Sequence, residues 1–161
     1  MRLPAGDERR QAADIVAARL RLRPRTLDDL EAIVAMDTDP EVRRLRMLAL
    51  ELGVADRVRF LGPVDRANMP VLMRSADLLL ALPWYEPFGI TPVEAAACGL
   101  PVVAAAVGGL TDTVVHEVTG LLVRPRDPRH AATAIQRLLD DRALRLRIGR
   151  EAAGRARRKY G

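Results

Sequence analysis

Two carboxylates, Glu86 and Glu94, stand seven residues apart in the stretch LLLALPWYEPFGITPVEAAACGLPVVAAAVGG, Leu78 to Gly109. A carboxylate accepts two hydroxyl donors from a ribose or a hexose, and the free N–H groups of a helix start take phosphate oxygens. Side by side, these groups suit a ligand that carries both hydroxyls and phosphate, which is the chemistry of a nucleotide sugar. Trp84, Tyr85 and Phe88, three of the chain's five aromatic residues, lie in the same loop; Trp84 and Tyr85 either plug the end of a sheet or touch a sugar. His116 and His130 lack the partner pattern for metal binding or nucleophilic catalysis and read as surface residues. No metal is expected. Cys98, the single cysteine, sits among alanines and reads as a small core residue.

The elements that must position these groups follow from the pattern around them. Leu78 to Leu82 is a pure apolar run, short enough for a strand buried on both faces. After the loop Pro83 to Ile90, Thr91-Pro92-Val93-Glu94 reads as a helix start, with Thr91 as N-cap, Pro92 at the first helical position and Glu94 completing a capping box. Gly99 and Pro101 stop that helix. Val102 to Val107 is a second buried strand, and Gly108-Gly109 leads into a short helix, Leu110 to Val115. This order sets two helix starts beside the carboxyl ends of parallel strands, the edge where open α/β sheets bind ligands.

Elsewhere, helices are expected over Asp7–Leu22, from the Asp39-Pro40 cap to Leu52, and over Arg66–Ser75, Arg129–Asp140 and Arg142–Tyr160. Arg57–Leu61 and Gly120–Val123 read as further strands. Glu31–Met36 fits either a helical stripe or a short strand. Alternation of strands and helices predicts an α/β fold with a doubly wound parallel sheet. One domain is expected over residues 1–161. Apolar content of 49% and charge of 29% suit a globular protein. No apolar run approaches the roughly 20 residues of a membrane helix, the opening MRLPAGDERR has no secretory h-region, and one cysteine fits a reducing cytoplasm. The net charge is +5. No recognition motif accompanies it, which argues against a nucleic-acid partner. The basic run Arg155 to Lys159 reads as a solvated helix end, with contact at a lipid surface as the other use.

EPFGITPVEAAACGLPVVAAAVGG resembles the donor-binding motif of retaining glycosyltransferases of the GT-B fold, the Glu-x7-Glu family of group 1 transferases. The resemblance extends from about Asp37 to Arg157, through DPEVRRLRMLALELGVADRVRFLGPV, NMPVLMRSADLLLALPWYEPFG and VTGLLVRPRDP. It implies the C-terminal, Rossmann-like half of such an enzyme, which takes a hexosyl group from a UDP-, GDP- or ADP-sugar to an acceptor hydroxyl with no further cofactor. Carried over residue by residue, Glu94 binds the ribose hydroxyls, and Glu86, the catalytic candidate, holds the donor sugar. The amides of Phe88, Gly89, Ile90 and Thr91 face sugar and diphosphate. Gly108 and Gly109 border the sugar pocket, and Gly62, Pro63 and Val64 lie beside the base.

The chain also departs from that pattern. Residues 1–36 diverge: the first strand is missing or degenerate, and the Gly-Arg turn and Lys-Gly pair that neutralise the diphosphate are absent, leaving Arg10 and Gln11 in their region. Met36-Asp37 and His116-Glu117 stand where the family has glycine turns. The N-terminal domain that binds the acceptor is absent too, so a separate acceptor-binding domain is the implied partner. Depleted cations argue against turnover by this chain alone, and an unpaired sheet edge predicts self-association. Three readings result: a donor-binding half of a transferase, a binding-only module or decayed remnant, and a basic interaction protein. The first places the chain in the cytoplasm or at the inner membrane surface.

Overall fold

The structure is a computed structural model and describes residues 40–62 and 64–161. The expected helix Asp7–Leu22, the segment Glu31–Met36, the pair Arg10 and Gln11, Met36-Asp37, the Asp39 cap and Pro63 lie outside these residues. The chain divides into two compact units, Met1–Asn68 and Met69–Gly161.

In the first unit, helix α1 spans Pro40–Glu51. It closes with a paired turn in which the Val54 N–H donates to the Ala49 carbonyl and the Gly53 N–H to that of Leu50. That arrangement caps the last carbonyls and brings the apolar residues at its two ends together; Ala49 and Val54 are the buried pair of this unit, with Leu52, Ala55 and Val58 packed on them. A short 3₁₀ turn, Ala55–Arg57, follows. The strand expected over Arg57–Leu61 is not formed: Val58 is extended, but no ladder joins this segment to another among the described residues. Apolar alternation gives a segment strand character, and only a neighbour makes it a strand.

The second unit carries the sheet. Helix α2, Met69–Arg74, is shorter than the Arg66–Ser75 expected. Strands β1 (Leu79–Ala81), β2 (Val102–Ala105) and β3 (Gly120–Val123) are all parallel, in the order β1-β2-β3. Leu79 pairs with Val102, and Val102 with Gly120. Every residue of β1 and β2 is buried, as expected of apolar runs covered on both faces. Helix α3 (Ile90–Ala97) connects β1 to β2, and α4 (Leu110–Thr113) connects β2 to β3. Helices α5 (Pro128–Asp140) and α6 (Arg142–Tyr160) complete the fold. The mixed α/β architecture with a parallel sheet is the one the alternation predicts.

The core joins Met73, Leu79, Ala81, Ala95, Leu100, Val102, Ala104, Leu110 and Val114. Helix α6 buries Ile148, Gly149, Ala152 and Ala156, and the glycine and alanines among them let it approach α3 closely. Aspartates start the last two helices: Asp127 accepts the His130 N–H at 2.9 Å and Asp141 the Leu144 N–H at 2.9 Å. Among the described residues no helix is long and apolar enough to cross a membrane.

Candidate functional site

The loop Pro83–Gly89 leaves β1 at its carboxyl end and feeds α3. The helix does not start at Thr91. Its N-cap is Gly89, in the left-handed region at φ 71°, with no side-chain cap of its own. Thr91 and Glu94 are therefore the second and fifth residues of α3, and the capping box is not formed. The reason lies upstream. The Glu86 carboxylate accepts, through Oε1, the N–H of Gly89 at 3.0 Å and of Phe88 at 3.3 Å. These two amides precede the first helical residue, Ile90, so the carboxylate fixes the turn that leads into the helix and leaves the helix's own first amides open. Glycine fits the left-handed position at the lowest conformational cost. The N–H groups of Ile90 and Thr91 come next and take no partner among the described residues, as the first amides of a helix do.

A second loop locks onto the first. The Gly109 N–H donates to the Glu86 carbonyl at 2.8 Å. A Cβ on Gly109 would lie 2.5 Å from the Pro87 carbonyl oxygen and 2.9 Å from the Phe88 Cα, and one on Gly108 would overlap the Glu86 carbonyl. The glycine pair thus allows two backbones to touch, which a turn alone does not require. The Thr113 hydroxyl donates to the Gly109 carbonyl at 3.0 Å and holds α4 against the loop.

Between these pieces lies a pocket of about 390 Å³, lined by Pro87, Phe88, Ile90, Val93, Glu94, Gly109, Asp112, Thr113 and Tyr160. Glu94 is half-buried. Its carboxylate has no hydrogen-bond or ion-pair partner among the described residues, so it is available to a ligand. Of the residues singled out in the sequence, the structure brings Phe88, Ile90, Glu94 and Gly109 to this pocket. Glu86, Gly89, Gly108 and Thr91 are not in its lining; the first three hold the two loops together, and Thr91 lies in the first turn of α3. Gly62 and Val64 belong to the other unit. Trp84 and Tyr85 do not plug the sheet: they are 77% and 74% exposed, and Phe88 is 73% exposed.

Sequence reasoning missed Asp112, Thr113 and Tyr160. Asp112 and Thr113 follow the Gly-Gly pair closely and could have been suspected from it. Tyr160 carries no local signal. It arrives because α6 packs on α3 and because the Arg155 guanidinium donates to the Asp112 carbonyl at 3.0 Å. The two histidines also have work that their sequence context conceals. His116 Nδ1 accepts the Leu122 N–H at 3.0 Å, and His130 Nδ1 accepts the Arg124 N–H at 3.1 Å. Those two amides alternate along one side of β3, and the imidazoles cover that side. Glu117 adopts a left-handed φ of 65°, a conformation that favours glycine. Its carboxylate is bound by both guanidinium nitrogens of Arg137, and that hydrogen bonding holds its pKa below the ordinary 4.5.

The sequence model of the family described as Glycosyl transferases group 1 matches residues 12–155. Over 146 residues, 88% of this chain and 30% of the relative, the chain is 43% identical to D-inositol 3-phosphate glycosyltransferase of Salinispora tropica. Among solved structures, it is similar to sucrose-phosphate synthase from Thermosynechococcus elongatus, with a TM-score of 0.75, 34% identity, and cover of 95% of this chain and 39% of that one. It is also similar to Anabaena HepE in complex with UDP-glucose, with a TM-score of 0.72, 29% identity, and cover of 99% and 50%. The chain spans between about a quarter and about a third of the length of the curated relatives it matches.

Proposed function

The chain belongs to the glycosyl transferases group 1 family, and we propose that it is the part that binds the nucleotide sugar, from which the complete enzyme transfers a hexosyl group to an acceptor hydroxyl with retention at the anomeric carbon. The observation that carries this reading is Glu94, a half-buried and unpartnered carboxylate in the wall of a pocket at the carboxyl edge of a parallel sheet. It accepts the ribose hydroxyls. Glu86 spends Oε1 on the loop and turns Oε2 to the sugar, which makes it the catalytic candidate. The Phe88 and Gly89 amides are held by Glu86, so Ile90 and Thr91 offer their N–H groups to the diphosphate. There they stabilise the charge that builds on the leaving group as the glycosidic bond breaks. Gly108 and Gly109 keep the two loops in contact.

The donor is a UDP-, GDP- or ADP-sugar, with UDP-glucose the first to test because HepE is known in complex with it. A separate acceptor-binding domain completes the cleft, and the name of the Salinispora relative makes a phosphorylated polyol the first acceptor to try. The free Cys98 agrees with work in a reducing cytoplasm. Calorimetric titration with the three glucose donors tests the reading. Saturable binding of one of them is expected. Binding of none, or binding that salt abolishes and that Glu94 does not influence, overturns it in favour of a basic interaction protein.

A further inference from the structure

Three residues beyond β3, the chain makes a turn in which Arg126 adopts a left-handed φ of 57°. A side chain there is strained, and single non-glycine residues in this region concentrate where function holds them. The residues on either side fix the turn: Arg124 pairs with Asp127 at 2.9 Å, the Arg124 N–H donates to His130 Nδ1, and Asp127 caps α5. Arg126 itself is exposed and shows no carboxylate partner among the described residues. Its guanidinium lies 5.0 Å from the centre of the Trp84 ring. Trp84 is 77% exposed and stands two residues before Glu86. The pair therefore joins the loop after β1 to the turn after β3, both at the carboxyl edge where open α/β sheets receive ligands.

We propose that Arg126, held over Trp84, is a phosphate-binding residue of this edge. A guanidinium stacked on an indole keeps its N–H fork in the plane that meets phosphate oxygens. The strained turn presents it without an internal carboxylate to neutralise it. Neither Arg126 nor Trp84 lines the pocket, whose lining holds two carboxylates and no lysine or arginine; Arg126 supplies a cation to the same sheet edge. The shared chemistry is a phosphate group, carried either by a donor diphosphate or by a phosphorylated acceptor. The donor alternative rests on the reading proposed above.

Trp84 is the only tryptophan of the chain, so its emission reports on the pair directly. Wild-type protein and the Arg126→Gln, Arg126→Lys and Arg126→Gly variants are titrated with inorganic pyrophosphate, UDP, uridine and a hexose monophosphate, with calorimetry alongside. Arg126→Gly also relaxes the backbone, so it is expected to fold at least as well as wild type. Phosphate ligands are expected to change the emission saturably in wild type, with affinity weakened about tenfold by glutamine or glycine and less by lysine. Uridine affinity is expected to be equal in all four proteins. Dependence on Arg126 for UDP but not for the hexose monophosphate assigns the donor diphosphate, and the reverse assigns the acceptor. Equal phosphate affinities in wild type and Arg126→Gly overturn the proposal, whatever uridine does. Failure of uridine and UDP to bind, with pyrophosphate still dependent on Arg126, overturns the nucleotide reading and leaves this one standing.

Discussion

Glu94→Gln separates binding from folding. The substitution keeps the length and shape of the side chain and removes only its charge. Glu94 is the fifth residue of α3, beyond the N-cap Gly89. It holds no ion pair among the described residues. Nothing in the fold therefore depends on its charge, and stability should change by no more than about 0.5 kcal/mol. Binding is different. A hydrogen bond to a charged acceptor contributes about 1 kcal/mol more than one to a neutral acceptor. With one or two ribose hydroxyls on Glu94, the loss is about 1–2 kcal/mol, or roughly fivefold to thirtyfold in affinity. A 2′,3′-dideoxynucleotide has no hydroxyls for this carboxylate, so its affinity should not move. Calorimetric titration of both ligands into both proteins, with thermal melts alongside, gives every quantity needed. Equal losses for the ribo- and dideoxy-ligands would show that Glu94 does not hold the ribose. An unchanged ribonucleotide affinity would remove the donor site's anchor.

Gly109→Ala is expected to force the two loops apart, since its Cβ would fall 2.5 Å from the Pro87 carbonyl oxygen; urea unfolding should show a loss of about 1–3 kcal/mol, accompanied by weaker nucleotide binding, and wild-type stability would refute the close approach. The Glu117 carboxyl is held below 4.5 in the folded state, first by its hydrogen bond from Arg137, against an opposing effect of burial that comes next in size, and with help from the nearby charges of Arg137, His116 and Arg147. A depressed carboxylate pKa adds stability above the unfolded value and loses it as pH falls through the folded one. Glu117→Gln should therefore melt lower than wild type near neutrality and match it well below pH 4.5, and a difference independent of pH would show that the pair contributes nothing through titration.

Most of the second unit is legible from sequence because burial on both faces writes uniform apolar runs, as in Leu78–Leu82 and Val102–Val107, and because Gly99 and Pro101 mark a helix end without ambiguity. The helix start was misread for an instructive reason. Thr91-Pro92 satisfies the local rule for a cap, but the Glu86 carboxylate fixes the chain one step earlier by accepting the Phe88 and Gly89 amides, a contact that forms only once the loop has folded. The expected strand Arg57–Leu61 failed similarly, since pairing is not a local property. Arg126 was invisible because no glycine marks its left-handed turn, and Tyr160 because α6 brings it to the pocket from the far end of the chain.

These differences bear on how the site can be dissected. Glu86 and Glu94 look equivalent as a spaced pair of carboxylates, yet the structure gives them unequal duties. Glu86 binds the Phe88 and Gly89 amides with its side chain and the Gly109 amide with its carbonyl. Removing its carboxylate would leave two loop amides without an acceptor and would change the helix start together with any contact to a sugar. A loss of activity at Glu86 thus cannot distinguish a group that touches the donor from one that shapes the loop. Glu94 has no structural duty of this kind, so a loss of ribonucleotide affinity there reports on the ligand alone. The spacing in the sequence marks both residues alike. Only the hydrogen bonds say which of the two can be substituted without disturbing the loop.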